Sequence, residues 1–127
     1  MSALRLEHVN VTVSDPDRVA ALMQSLFGWK IRWQGPAASG GRTIHVGADD
    51  CYLALYRPPN GAATQFGKGQ PLNHIGVEVD DLDATEARVI AAGLRPFSHG
   101  AYHPGRRFYF LDPDGIEYEV VSYRRPA

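Results

Sequence analysis

From Glu7 to Val13 apolar and polar positions alternate, Val9, Val11 and Val13 against His8, Asn10 and Thr12. This two-residue period predicts a β-strand with two unlike faces, one for a core and one for polar work. Val19, Leu22, Met23, Leu26 and Phe27 then recur at helical spacing, after start signals at Asp15, Pro16 and Asp17 and before a stop at Gly28. A helix of about three turns follows. Sixty-six residues beyond the first strand the chain repeats itself: "LEHVNVTVSD" (Leu6 to Asp15) returns as "LNHIGVEVDD" (Leu72 to Asp81). Ile75, Val77 and Val79 alternate with His74, Gly76 and Glu78. Asp83 with Glu86 then forms a capping-box pattern ahead of Ala87, Ile90, Ala91 and Leu94, with Gly93 as the stop.

After each helix three further strands are predicted: Trp29 to Gln34, Arg42 to Gly47 and Cys51 to Arg57 in the first half, and Arg95 to Gly100, Arg107 to Leu111 and Ile116 to Tyr123 in the second. The turns between them, "GPAASGG", Asp49-Asp50 and "DPDG", hold the residues that turns need. The expected fold is α+β: one domain over residues 1–127, made of two tandem βαβββ modules at about 4–57 and 72–123. A linker at 58–71, partly mobile, joins them. One helix leaves a face of a four-stranded sheet uncovered, so the two modules are expected to pack as a pair around a shared cleft. The polar set His8, Asn10, Thr12, His74, Gly76 and Glu78 would line it.

Composition narrows the partners. Thirteen Lys and Arg against 14 Asp and Glu leave a net charge of −1, so no long-range field favours nucleic acid or an anionic membrane. A small molecule is the expected partner. One cysteine, Cys51, forms no internal disulfide, no leader pattern opens the sequence, and no apolar run approaches the length needed to span a bilayer. A cytoplasmic location without membrane contact is expected.

A histidine alone on a strand is more often a structural residue than a ligand. Its recurrence at the same place in a repeated unit points to His8 and His74 sharing one ion, with an anionic third ligand still required. The run "FYFLDPDGIEYEVV" (Phe108 to Val121), with a His on the first strand of each half, resembles the vicinal oxygen chelate superfamily: glyoxalase I, extradiol dioxygenases, and fosfomycin- and bleomycin-resistance proteins. The resemblance covers essentially the whole chain and implies that Glu119, four residues after the Gly of the "DPDG" turn, is the acidic ligand. Two imidazoles and a carboxylate suit Fe(II), Mn(II), Zn(II) or Ni(II) and leave positions open for substrate.

Matching Arg42 to Tyr56 with Arg107 to Val121 puts Ala54 opposite Glu119 and His45 opposite Phe110. Alanine cannot bind a metal, and glyoxalase I enzymes use an acid or amide there, so the resemblance implies a two-His, one-Glu site instead. Tyr109 stands where extradiol enzymes carry a Tyr near the bound catecholate, and equally suits an amphipathic core aromatic. His45 is read either as a base near the metal or as a strand-surface histidine. His99 and His103 miss the spacing of the extradiol signature and lie in a Gly-rich segment, and Arg106, Arg107, Arg124 and Arg125 are read as surface charges.

The expected function is a divalent-metal enzyme acting on a small substrate chelated through adjacent oxygens, with dioxygenase-like ring cleavage placed ahead of lyase, isomerase or thiol-transferase chemistry. The alternative is a drug-binding module without catalysis, with Trp29, Trp33, Tyr52, Tyr56, Phe66 and Tyr102 lining an aromatic cleft. A homodimer is expected from the size of the chain and the usual state of such relatives.

Overall fold

The computed structural model describes residues 5–61, 67–102 and 105–124, without the side chain of Tyr102. In chain order the elements are β1 (His8–Thr12), α1 (Pro16–Phe27), β2 (Lys30–Pro36), β3 (Arg42–Gly47), β4 (Tyr52–Arg57), β5 (Ile75–Glu78), α2 (Leu82–Ala91), β6 (Phe97–Tyr102), β7 (Gly105–Leu111) and β8 (Glu117–Ser122). This is the α+β arrangement read from the pattern, βαβββ written twice, with element ends displaced by a residue or two. By contact density the chain divides into two compact units, residues 1–63 and 64–127. Of the expected linker, residues 62–66 lie outside the described residues.

Each unit holds one four-stranded sheet, ordered β1-β4-β3-β2 in the first and β5-β8-β7-β6 in the second. In both, the opening strand runs parallel to the last strand of its unit and the other pairings are antiparallel. The helix supplies the crossover that a parallel pair needs.

In the first unit Asp15 caps α1 by accepting the backbone N–H of Arg18 at 3.2 Å, and Pro16 occupies the first turn. Gly28, in the left-handed region at φ +67°, ends the helix. Val19, Met23 and Leu26, one stripe of this helix, are buried with Val11, Val13, Ile44, Val46, Leu53 and Leu55 of the sheet. Those strand residues share a parity, and the residues between them face away from the helix.

The second helix departs from the reading. Its cap is Asp81, which accepts from Ala84 N at 3.0 Å, and not Asp83. Starting at Leu82 rotates the buried stripe to Leu82, Thr85 and Val89, which leaves Ile90 58% exposed. Ala87 and Ala91 are exposed with it. A period of three and four residues fits either stripe, and the aromatic bulk of the sheet selects between them. Phe108, Phe110, Tyr118 and Val120 are fully buried, and the rings of the cross-strand pair Phe110 and Tyr118 stack at 5.1 Å.

Met23→Ala should therefore cost about 2–5 kcal/mol. Ile90→Ala should change stability by no more than about 0.5 kcal/mol. Urea denaturation of both variants checks the assignment, and a large loss from Ile90→Ala would contradict the stripe described.

Candidate functional site

The sheet registers align the two units residue by residue. Asn10 pairs with Ala54 across β1 and β4, as Gly76 pairs with Glu119 across β5 and β8. Ala54 thus holds in the first unit the place of Glu119 in the second. One neighbour further, Ala54 pairs with His45 and Glu119 with Tyr109. His45 is the counterpart of Tyr109, not of Phe110 as the constant spacing of 65 implied. The hairpin turn is the cause: the first unit turns through residues 48–51, whereas the second uses 112–116, one residue longer. Its pairing with Ala54 puts His45 on the open side of the sheet, where it is half-buried between buried Ile44 and Val46.

The longer turn is built by Asp112. Its backbone carbonyl accepts the N–H of Gly115 at 2.9 Å, and its Oδ1 accepts the N–H groups of Asp114 and Ile116, each at 2.9 Å. Asp112 is itself buried, and desolvation pushes its carboxyl up to about 6 against the pull of those N–H donors. From this turn β8 carries Glu117 and Glu119 onto the open face.

Glu119 is held from two sides. Its Oε2 accepts from Arg107 Nη1 at 2.9 Å, and its Oε1 lies 3.0 Å from His74 Nε2. Arg107 and Glu119 are only 12% and 14% exposed at their side chains, so this is a mostly desolvated pair, strong only while both partners remain. Asn73 Oδ1 lies 2.7 Å from His74 Nδ1, and Glu117, buried, takes Lys68 Nζ at 3.0 Å. The Tyr109 ring meets the His74 ring edge-on at 5.8 Å and stacks with Phe97 at 6.1 Å. Lys68, Asn73, His74, Phe97, Tyr109 and Glu117 line a depression of about 340 Å³.

The open face of the first unit is aromatic where the second is charged. His8 stacks on Tyr52 at 4.9 Å, Tyr52 stacks on His45 at 4.6 Å, and the Arg32 guanidinium sits 4.5 Å over the same Tyr52 ring. Glu7 Oε1 lies 2.6 Å from His8 Nδ1. The carboxylate can only accept, so Nδ1 carries the proton and Nε2 is the ring nitrogen with a lone pair to offer a metal. Desolvation, with the charge of Arg32, holds His45 below the usual imidazole range.

Of the residues expected to bind metal, His74 and Glu119 are brought together and His8 belongs to the first unit. Among the described residues no group of three or more His, Cys, Asp or Glu side chains gathers to hold an ion. The convergence of His74 Nε2 and Glu119 Oε1 is nonetheless a donor set that suits a divalent cation. His99 lies away from this face: it pairs with Glu86 of α2 and stacks near Phe108. His103, Phe66, Arg125 and the side chain of Tyr102 lie outside the described residues.

Arg107, expected as a surface charge, is instead 12% exposed and bound to Glu119, while Lys68 went unread in the sequence. For Arg107 a signal existed, since it shares the parity of Tyr109 on β7. For Lys68, 49 residues from Glu117 and on a loop, none did.

The family model described as Glyoxalase/Bleomycin resistance protein/Dioxygenase superfamily matches residues 5–120. No curated protein sequence matches closely enough to count as a relative. Among solved structures, a glyoxylase/bleomycin resistance protein/dioxygenase domain from Frankia sp. EAN1pec superposes with a TM-score of 0.83 at 24% identity, covering 97% of this chain and all of that one. TnmS3, an antibiotic binding protein from Streptomyces sp. CB03234, gives 0.73 at 23% identity, over 96% and 98% of the two chains. The fosfomycin resistance protein FosX from Listeria monocytogenes, complexed with Mn(II) and sulfate, gives 0.73 at 18% identity, over 96% and 93%. At these identities the likeness is one of fold.

The raised pKa of Asp112 makes the turn pH-sensitive. Folding favours the protonated acid, so its contribution is complete below about 4, the unfolded value, and is lost as pH rises through about 6. Asp112→Asn keeps the Oδ1 acceptor without the ionisation. Relative to the wild type it should gain on the order of 2 kcal/mol between pH 4 and 6.5. Parallel stability curves in urea across that range would contradict this.

Proposed function

Because the chain belongs to the Glyoxalase/Bleomycin resistance protein/Dioxygenase superfamily, we propose that it is a divalent-metal-dependent enzyme acting on a small substrate that chelates through two adjacent oxygens, with His8, His74 and Glu119 as the metal ligands. His74 Nε2 and Glu119 Oε1, 3.0 Å apart, carry this reading. The same histidine position recurs in the first unit as His8, with Nε2 as its available nitrogen. FosX complexed with Mn(II), and a FosX mutant with Mn(II) and 1S,2S-dihydroxypropylphosphonic acid, support a divalent ion and a substrate with neighbouring oxygens.

A bound ion supplies Lewis acidity toward the substrate oxygens. Arg107 holds Glu119 by Oε2 and leaves Oε1 toward His74. Tyr109 brings a phenol to the same face, able to give or take a proton at a substrate oxygen. Ala54, 3% exposed, puts no fourth ligand beside His45, which argues against glyoxalase I chemistry and leaves room for a bidentate substrate. Ring cleavage of a catechol is the reaction placed first, ahead of lyase, isomerase or thiol transfer. Pairing into homodimers and a cytoplasmic location belong to the same reading.

A second reading, sequestration of a small molecule without turnover, is favoured by the aromatic face of the first unit and supported by the antibiotic binding protein TnmS3. Metal uptake separates the two. Wild-type protein equilibrated with Fe(II), Mn(II), Zn(II) or Ni(II) should hold about one ion per chain by elemental analysis, and His8→Ala, His74→Ala and Glu119→Ala should each weaken binding by tenfold or more. Uptake of none of the four ions would overturn the enzyme reading. Given uptake, Fe(II) protein with catechols should consume oxygen, and Tyr109→Phe should slow it by about tenfold or more. Oxygen use unchanged by that variant would remove Tyr109 from the mechanism.

A further inference from the structure

Trp33 is 49% exposed, yet it is not loose. Strict alternation would place it on the same side of β2 as Ile31, which pairs with the buried Val46 on the helix side of the sheet. A register shift between Ile31 and Trp33 inserts Arg32 as an extra residue, and Trp33 pairs instead with His45 on the open face. Bulges re-aim side chains in this way. In the second unit Phe97 pairs with Tyr109 as Trp33 pairs with His45, and there the register shift comes after the aromatic residue and not before it.

Two neighbours then hold the indole in place. A Cβ built on Gly35 would come to 3.0 Å of Trp33 Cζ2 and 3.2 Å of Cη2, so the ring lies over a stretch of backbone kept bare by glycine. On another side the His45 ring meets it at 5.2 Å. Restricting a large aromatic side chain while leaving half of it in water gives up rotamer freedom without the return of full burial. A ligand stacked on the open ring recovers that loss.

The surroundings select the kind of ligand. A groove of about 480 Å³ lies beside Trp33, lined also by Asn10, Pro36, Thr43, His45 and Tyr56. That volume lies within the range of small-molecule sites. Among the described residues no Asp, Glu, Lys or Arg lines it, in contrast to the depression of the second unit with Lys68, His74 and Glu117. A charged group would lose water there without a counter-charge. Asn10 and Thr43 offer an amide and a hydroxyl to a ligand's polar rim.

We propose that this groove binds a flat, uncharged aromatic ring system, stacked on Trp33 and hydrogen-bonded at its rim by Asn10 and Thr43. The proposal deepens the small-molecule reading above and does not require the metal. Metal-free protein titrated with quinoxaline should show a saturable shift of the Trp33 indole N–H resonance, with that of Trp29, beside Phe27, moving little. Calorimetry should find quinoxaline binding weakened about tenfold by Trp33→Leu. Gly35→Val, which keeps the indole but displaces it, should weaken binding likewise. Naphthalene-2-sulfonate, similar in shape but anionic, and cyclohexanol, not aromatic, should bind more weakly still. Absence of a saturable shift, wild-type affinity in both variants, or sulfonate binding as tight as quinoxaline would overturn the proposal. Repeating the titration on His74→Ala should leave quinoxaline affinity unchanged, and the wild type keeps the two readings apart: binding quinoxaline while taking up no metal removes only the metal reading, and taking up metal while binding no quinoxaline removes only this one.

Discussion

The pleat of the strands governs everything in this chain, because a side-chain period of two commits alternate residues to opposite sides of a sheet. In each unit one parity is spent on the helix. Val11, Ile44, Val46 and Leu55 fill that side of the first sheet and Phe108, Phe110, Tyr118 and Val120 that of the second. The remaining parity is free to carry His8, His45 and Tyr52, or His74, Tyr109 and Glu119, without disturbing the core. A shift of one residue in any strand would exchange the two sets. Chemistry and stability are thus fixed by the same register, and the hairpin turns that set the register matter as much as the residues on show.

The turn of residues 112–116 illustrates this dependence. Asp112 spends Oδ1 on two backbone N–H groups and buries its carboxyl at the cost of a raised pKa. A polar group is placed where water cannot reach it because the turn it closes sends Glu117 and Glu119 to the open side. The register shift in β2 does the same for Trp33. Irregularities of backbone stand next to the residues whose direction they decide.

What could be read from the sequence followed from periodicity. Alternating strands, helix caps at Asp15 and Gly28 and the repeated histidine are local patterns, and local patterns survive folding. Pattern failed where two registers satisfied it equally. Ala87, Ile90 and Ala91 have a helical period as good as that of Leu82, Thr85 and Val89, and only the position of the Asp81 cap and the bulk beneath the helix decide between them. His45 was matched one residue out because a constant spacing cannot register an extra residue in one hairpin. Arg107 reads as a surface charge and Lys68 as a loop residue because their partners are set by cross-strand and loop geometry, which no spacing along the chain records.

The two units share a backbone plan and diverge in what they place on it. At the position next to the opening strand the first unit has Ala54 where the second has Glu119, and at the start of the same strand it has Tyr52 where the second has Glu117. Replacing two carboxylates by a methyl and a phenol removes the reason for cations nearby. In the second unit Arg107 and Lys68 are bound to those acids, whereas in the first unit the equivalent neighbourhood is filled by stacked rings and Arg32 lies over Tyr52 as a cation on a π face. Each difference is consistent with its surroundings. A repeated fold can in this way hold two unlike faces: one assembled from ionic pairs around His74, the other from aromatic surfaces around His45.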